Sequence, residues 1–402
     1  MLRQPGQKGA ALDDYSDSVA SEVISFHQSI RNYAPTPLVN LKGLSGHLSL
    51  GQIWLKDESK RFGLNAFKVL GGSYAIGRYL AEKMGARISD LGFAGLSSAE
   101  AKAKFGQLTF VTATDGNHGR GVAWTAQQLG HKAVVYMPKG SLQIRADNIR
   151  ATGAECYVTD FNYDDAVRLA NSKAQEHGWI MVQDTAWEGY EDLPRWIMQG
   201  YMTLAQEILD QLASQGMSAP THVFLQAGVG SFAGAVLGRL TKALGPEAPK
   251  GVIVEPHQAN CHYQSLLAGD GTPKAVGGLM ETMMAGLACG EPSTLSWPVL
   301  RDYAVAAVSC ADHIAANGMR LLAAPINGDT QVVSGESGAV SAGLLEYLMT
   351  TQPGRKMADS LGLGRDSRVL LISTEGDTSP EVYRQVTWYG QHPDLERKWE
   401  NA

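Results

Sequence analysis

Three short segments of the 402-residue chain hold the residue types that do chemistry. The first is Asn65-Ala-Phe-Lys68, which follows the strand-like run Gly51-Gln-Ile-Trp-Leu-Lys56. Lys68 falls between Phe67 and Val69, in the first turn of a predicted helix. The helix dipole disfavours a cation there, so the amine is expected to lose its proton more readily and to suit a Schiff-base nucleophile. A surface lysine with its stem laid along apolar groups fits the same pattern, and spacing alone does not choose. The second segment, Thr112-Ala-Thr-Asp115-Gly-Asn117-His118-Gly119, joins a strand to a helix N-terminus, where backbone N–H groups point outward. Asp115 is a candidate general base if burial raises its pKa; Asp and Asn capping the helix is the structural alternative. His118 reads as a packed, hydrogen-bonded histidine. The third segment is Ala227-Gly228-Val229-Gly230-Ser231, where glycine backbone, a hydroxyl and a helix start make a short phosphate cradle. No Gly-Lys-Ser/Thr follows, so it is not a P-loop, and Gly228, Gly230 and Gly234 miss the GxGxxG dinucleotide spacing.

The elements that must position these segments alternate. Strands are expected at 108–112, 132–137 and 155–158, with helices at 119–129 and 142–152 between them. The pattern resumes with strands at 221–225 and 250–255, a helix on the glycine loop, a helix at 337–349 and a last strand at 367–373. Such alternation implies parallel sheets with right-handed crossovers. A helix capped by Asn65 is expected to run through Met84, and its glycines suggest close packing. The first 35 residues read as an arm with a helical stretch at 20–33, residues 86–107 as a helical connector, and 276–291 as loop. The fold class expected is α/β: two open, twisted, mostly parallel sheets with a ligand cleft between them, at the carboxyl ends of strands.

Composition narrows the function classes. The chain has 34 Lys+Arg against 40 Asp+Glu, a net charge of −6, which argues against a nucleic-acid binder. Hydrophobic residues make up 44% and charged residues 18%, so disorder is excluded as the dominant state. The 45 glycines exceed the usual share of about 7%, as expected where backbone approaches a ligand. Four cysteines without a CxxC make neither a disulfide framework nor a zinc or redox motif, and no metal is expected. A Cys261–Cys289 bridge stays open. No apolar run reaches the 18 residues of a membrane span, and the N-terminus lacks the apolar core of a secretory signal. The expected compartment is the cytoplasm.

One lysine, one acid-bearing turn and one phosphate cradle fit a pyridoxal phosphate enzyme: the lysine holds the aldehyde and the cradle holds the phosphate. The runs KDESKRFGLNAFKVLGG, TATDGNHGRG, QAGVGSFAGA and LISTEGDTSP together resemble the fold type II, tryptophan-synthase-β-like class of such enzymes. Within it they are similar to the diaminopropionate ammonia-lyases, from about Asn32 to the C-terminus. The resemblance implies that Lys68 binds the cofactor aldehyde, that Asn117 bonds its 3′-oxygen, and that Gly228, Val229, Gly230 and Ser231 hold its phosphate. It places the hydroxyl of Thr374, next to Ser373, against the pyridine nitrogen, which favours elimination.

Serine and threonine dehydratases resemble the acid-bearing turn but have Ser-Gly-Asn-His, with serine in place of Asp115. The diaminopropionate branch has the aspartate, and Asp184 in Val-Gln-Asp-Thr-Ala-Trp-Glu-Gly-Tyr matches it as a second acid; a cap or surface acid is the other reading of Asp184. Glu188 is a weaker candidate. A carboxylate offers a second substrate ammonium a charge-assisted bond that serine does not. The activity implied is α,β-elimination of D- and L-2,3-diaminopropionate to pyruvate and two ammonia, with Lys68 and Asp115 as bases on opposite faces. A serine or threonine dehydratase of the same fold is the alternative. A non-catalytic cofactor-binding homologue would not need Asp115, and a nicotinamide dehydrogenase lacks its fingerprint here. The partners expected are an amino acid substrate and a second copy of the chain, with no nucleic acid and no membrane. The division expected is a small domain at 90–175 inserted into a large one made of 1–89 and 176–402.

Overall fold

A computed structural model describes residues 9–326 and 328–395; the start of the expected N-terminal arm, residues 1–8, lies outside them. The strands are β1 (Leu38–Asn40), β2 (Gln52–Asp57), β3 (Thr109–Ala113), β4 (Lys132–Met137), β5 (Glu155–Val158), β6 (Ile180–Met181), β7 (His222–Gln226), β8 (Lys250–Pro256), β9 (Ala304–Cys310) and β10 (Arg368–Ser373). Among the described residues they form two sheets. The larger has the order β1-β2-β10-β7-β8-β9 and the smaller β5-β4-β3-β6. All pairings are parallel except β1 with β2. The smaller sheet takes its last strand from 180–181, beyond the expected limit of 175.

Alternate residues of the central strands feed opposite layers, as the two-residue period of a strand requires. Val223, Leu225, Leu370 and Ile372 join the core on one face, with Leu70, Ile197 and Val236 from flanking helices. Phe224, Val369 and Leu371 join the core on the other face, with Ile314, Met319 and Leu344. Every residue of β7 is buried. A strand covered on both faces reads as a continuous apolar run rather than an alternation.

The helix expected from Asn65 begins later, at Val69, and ends at Met84. Residues 65–67 are held instead by the chain after β10. Phe67 N donates to Thr374 O at 3.1 Å, Gly376 N donates to Asn65 O at 3.0 Å, and Ala66 bridges Glu375. Asn65 takes a left-handed conformation, φ +59°, which an asparagine tolerates. The glycines of this helix do allow close packing. A Cβ on Gly71 would come within 2.6 Å of the Tyr201 ring, and one on Gly77 within 2.7 Å of the Phe26 ring. Lys68 is thereby fixed at the start of a wedged helix. No helix among the described residues is long and apolar enough to cross a membrane. The four cysteines are free and buried, so Cys261 and Cys289 are not bridged.

Candidate active site

Four turns leave the carboxyl ends of parallel strands β2, β3, β7 and β10 and meet in one cleft. Its empty space is about 670 Å³ including the open mouth. Lys68, Asp115, Asn117, Asp184, Gly228, Val229, Gly230, Ser231 and Thr374 all line it. Glu188 does not; it is exposed, in the turn after Trp187.

Lys68 Nζ donates to Asp184 Oδ2 at 2.6 Å. The lysine amine was expected to be acidified by the helix start, and the structure overturns that. Burial does penalise the cation, but the Asp184 carboxylate outweighs it and holds the amine well above its usual range. Asp184 is correspondingly kept ionised: burial would raise its pKa, but Lys68 and His118 pull it below the usual carboxylate range. Its Oδ1 accepts from Tyr163 Oη at 3.1 Å and from Gln183 Nε2 at 3.2 Å. Asp184 is thus neither a cap nor a surface acid.

His118 is the packed histidine expected. Its Nε2 meets Val182 O at 2.8 Å, and burial lowers its pKa. Asp115, on the turn before it, is 9% exposed. Its Oδ2 is buried without a hydrogen-bond partner and lies 3.5 Å from Arg145 Nη1. Asn117 starts the helix Asn117–Leu129 and donates to Glu375 Oε2 at 2.5 Å. The other oxygen of Glu375 accepts from Ser337 N at 3.0 Å.

The glycine turn opens the helix Ser231–Leu244, with Gly230 as cap at φ +93°. A Cβ on Gly228 would come 3.1 Å from Cys289 Sγ and 3.2 Å from Gly286 O. One on Gly230 would collide with the His262 ring, which Glu255 Oε1 holds by Nδ1 at 2.9 Å. Side chains are excluded, so bare backbone N–H groups face the cleft at a helix N-terminus, where an anion is favoured. The Ser231 hydroxyl is already engaged, donating to Asp184 O at 2.5 Å. Thr374 Oγ1 accepts from Gln226 Nε2 at 3.1 Å, which leaves its O–H free to donate. Ser373 turns away to bond Ser334 Oγ at 2.7 Å, so of the two hydroxyls Thr374 is the one at the cleft.

Reasoning from sequence missed Tyr163, Tyr201, Gln226 and Glu375, which also line the cleft. Glu375 lay within a quoted run and was recoverable as a third acid. Gln226 likewise opens the run QAGVGSFAGA, whereas Tyr163 and Tyr201 come from helix positions with no signature of their own. Tyr201 Oη is buried without a partner. An amine, an anion-binding turn and a free hydroxyl around one cavity form the donor set that an aldehyde, a phosphate and a pyridine nitrogen would need, so pyridoxal phosphate fits these residues.

The model of the family described as pyridoxal-phosphate dependent enzyme matches residues 30–375. A diaminopropionate ammonia-lyase of Salmonella typhimurium is 58% identical over 384 residues, 95% of each chain. The solved structure of the Escherichia coli diaminopropionate ammonia-lyase in complex with D-serine is similar at 50% identity and a TM-score of 0.90, covering 97% of this chain and 96% of that one. The same enzyme in complex with an aminoacrylate–PLP azomethine reaction intermediate gives 50% identity and a TM-score of 0.88, covering 96% of each.

Proposed function

Since the chain belongs to the pyridoxal-phosphate dependent enzyme family and takes that cofactor, we propose that it is a carbon–nitrogen lyase acting on D- and L-2,3-diaminopropionate. The reaction is elimination of the β-amine as ammonia, followed by hydrolysis of released aminoacrylate to pyruvate and a second ammonia. One water is consumed, so atoms balance. The observation that carries the reading is the pair of carboxylates, Asp115 and Asp184, in a cleft with one lysine amine, Lys68, which Asp184 holds. A substrate with two ammonium groups finds two acceptors there, and charge-assisted bonds to each are stronger than neutral ones.

Lys68, Asn117, the backbone of Gly228 to Ser231 and Thr374 would hold the cofactor. When bound, it supplies an aldehyde for the substrate's α-amine and a conjugated ring that spreads the electron pair left at the α-carbon. The remaining work belongs to the chain. Lys68 Nζ takes the α-proton of one enantiomer and Asp115 that of the other, which accounts for action on both. Once Lys68 has taken that proton, Asp184 stabilises the resulting cation, and the cation has the proton that the departing β-amine needs. Thr374 Oγ donates at the far end of the cleft. The small domain, at about 90–175, contributes Asp115 and Asn117, and the large one the remaining residues. The working unit is a homodimer in the cytoplasm; light scattering on the purified protein would test the dimer.

The deciding experiment is product stoichiometry with D- and L-2,3-diaminopropionate, L-serine and L-threonine. Two ammonia per pyruvate from both diamino acids is expected. One ammonia per keto acid from serine or threonine, with diaminopropionate inert, would make the chain a dehydratase.

A further inference from the structure

One cation holds the acid-bearing turn from behind. Arg145 stands on the helix Gln143–Arg150, its side chain 6% exposed. Nη1 is 3.5 Å from Asp115 Oδ2, Nη2 is 3.6 Å from Glu336 Oε1, and Nε donates to Ser379 Oγ at 3.2 Å. The guanidinium is therefore stretched between two carboxylates and hydrogen-bonds neither. A carboxylate beside an arginine ordinarily makes shorter, bidentate contacts. A buried oxygen left without a donor is costly, and Asp115 Oδ2 is one, on a residue that lines the cleft. It is compensated in charge but open in hydrogen bonding. Glu375 also acts on Arg145, so one cation serves three acids. Glu336 reflects the shortage: burial first, and Glu375 with Asp115 besides, push its pKa up to about 7 against the pull of Arg145.

We propose that Arg145 is a positioning residue that faces Asp115 with its charge without hydrogen-bonding it, and that Glu336 draws the guanidinium back so that Asp115 Oδ2 stays open to the substrate. This rests on the diaminopropionate reading, in which Asp115 accepts protons from a diamino acid. Lys68, Tyr163 and Cys289 from other elements, and His118 on its own, also act electrostatically with Asp115. None of them changes in the variants below, so a displacement seen in those variants belongs to the Arg145–Glu336 pair.

The test is the pH profile of kcat/KM for D-2,3-diaminopropionate in Arg145→Gln, Arg145→Lys and Glu336→Gln. Arg145→Gln removes the cation that favours the carboxylate, so the acid limb should move up by about one to three pH units. Arg145→Lys should bring it back toward the wild-type position. Glu336→Gln removes a repelling carboxylate and frees the guanidinium, so the limb should move down. A uniform fall in rate with no displacement overturns the proposal, as do displacements in one direction for Arg145→Gln and Glu336→Gln. If Arg145→Gln does not fold, Glu336→Gln decides alone: an acid limb that stays or rises overturns it. The Asp115 carboxyl carbon, titrated by NMR without substrate and assigned with Asp115→Asn, reads the same displacements independently of turnover. A wild-type protein inert toward both isomers would defeat the functional reading, and the NMR titration would still decide the role of Arg145.

Discussion

Lys68 and Asp184 are set as an ion pair before any ligand enters, and the pair has a kinetic consequence. The amine must shed a proton before it attacks an aldehyde, and Asp184 holds that proton on. Incorporation of pyridoxal phosphate into the cofactor-free protein, followed by absorbance, should therefore accelerate as pH rises. In Asp184→Asn the same acceleration should appear at lower pH; an unmoved profile would remove Asp184 from that role. Asp115→Asn should lower turnover of D-2,3-diaminopropionate by about 10²–10⁴-fold, the usual worth of a general base, and spare much of the L activity. Equal losses for both isomers would sink the two-base allocation. The residues in the glycine-bearing turns were legible in sequence because their types are unusual at helix starts. Arg145, Tyr163 and Tyr201 were not, because an arginine or tyrosine on a helix shows no sign of which face meets a cleft.

At the scale of elements, the helix Asp192–Ser214 was absent from the sequence reading, and it braces the strand that leads to Lys68. Its Glu207 lies 2.7 Å from Lys56 of β2 and 2.7 Å from Arg61, and all three side chains are buried. Removing one member of such a network leaves charge uncompensated. Glu207→Ala should cost about 3–5 kcal/mol in chemical denaturation. Burial would raise the Glu207 pKa, but Arg61 and Lys56 lower it from 4.5 to about 2. Its contribution is thus present above 4.5 and is lost as pH falls toward 2. Glu336 runs the other way: with its pKa raised from 4.5 to about 7, its contribution is full below 4.5 and is lost as pH rises to 7. Melting curves should show both slopes, the second flattened in Glu336→Gln. Two helices cross as closely as backbone permits where Gly343 meets the Ile314 carbonyl. Gly343→Ala should destabilise by about 1–3 kcal/mol, because the carbonyl cannot swing aside as a side chain would. Strand β9, Ala-Val-Ala-Ala-Val-Ser-Cys, also went unread. Alanine has little strand preference, and only pairing with β8 makes this run extended. The helix expected from Asn65 failed for a related reason: contacts with residues 374–376, more than 300 positions away, consume the backbone of 65–67.

At the scale of the molecule, polar links join the two sheets around the cleft. Asn117 reaches Glu375, and Arg145 reaches Glu336 and Ser379. A ligand that fills the cleft stabilises the folded chain by mass action. At a hundredfold excess over its dissociation constant the gain is about 2.7 kcal/mol. The thermal midpoint should fall on removal of pyridoxal phosphate and return when it is added back; an unchanged midpoint would argue against a shared cleft site. The buried free thiols add something of a different kind. Cys261 and Cys310 are sealed in the interior, while Cys289 borders the cleft. Burial pushes the Cys310 thiol up to about 12 and Cys156 up to about 11, so neither is a ready thiolate in the folded chain. A disulfide reagent offered to the native protein therefore meets no ready thiolate at Cys156 or Cys310, and a colour change from either records an opening. Labelling at Cys310 would keep time for breathing of the large sheet, and labelling at Cys289 for vacancy of the cleft. The chain holds two clocks that no engineered probe need supply.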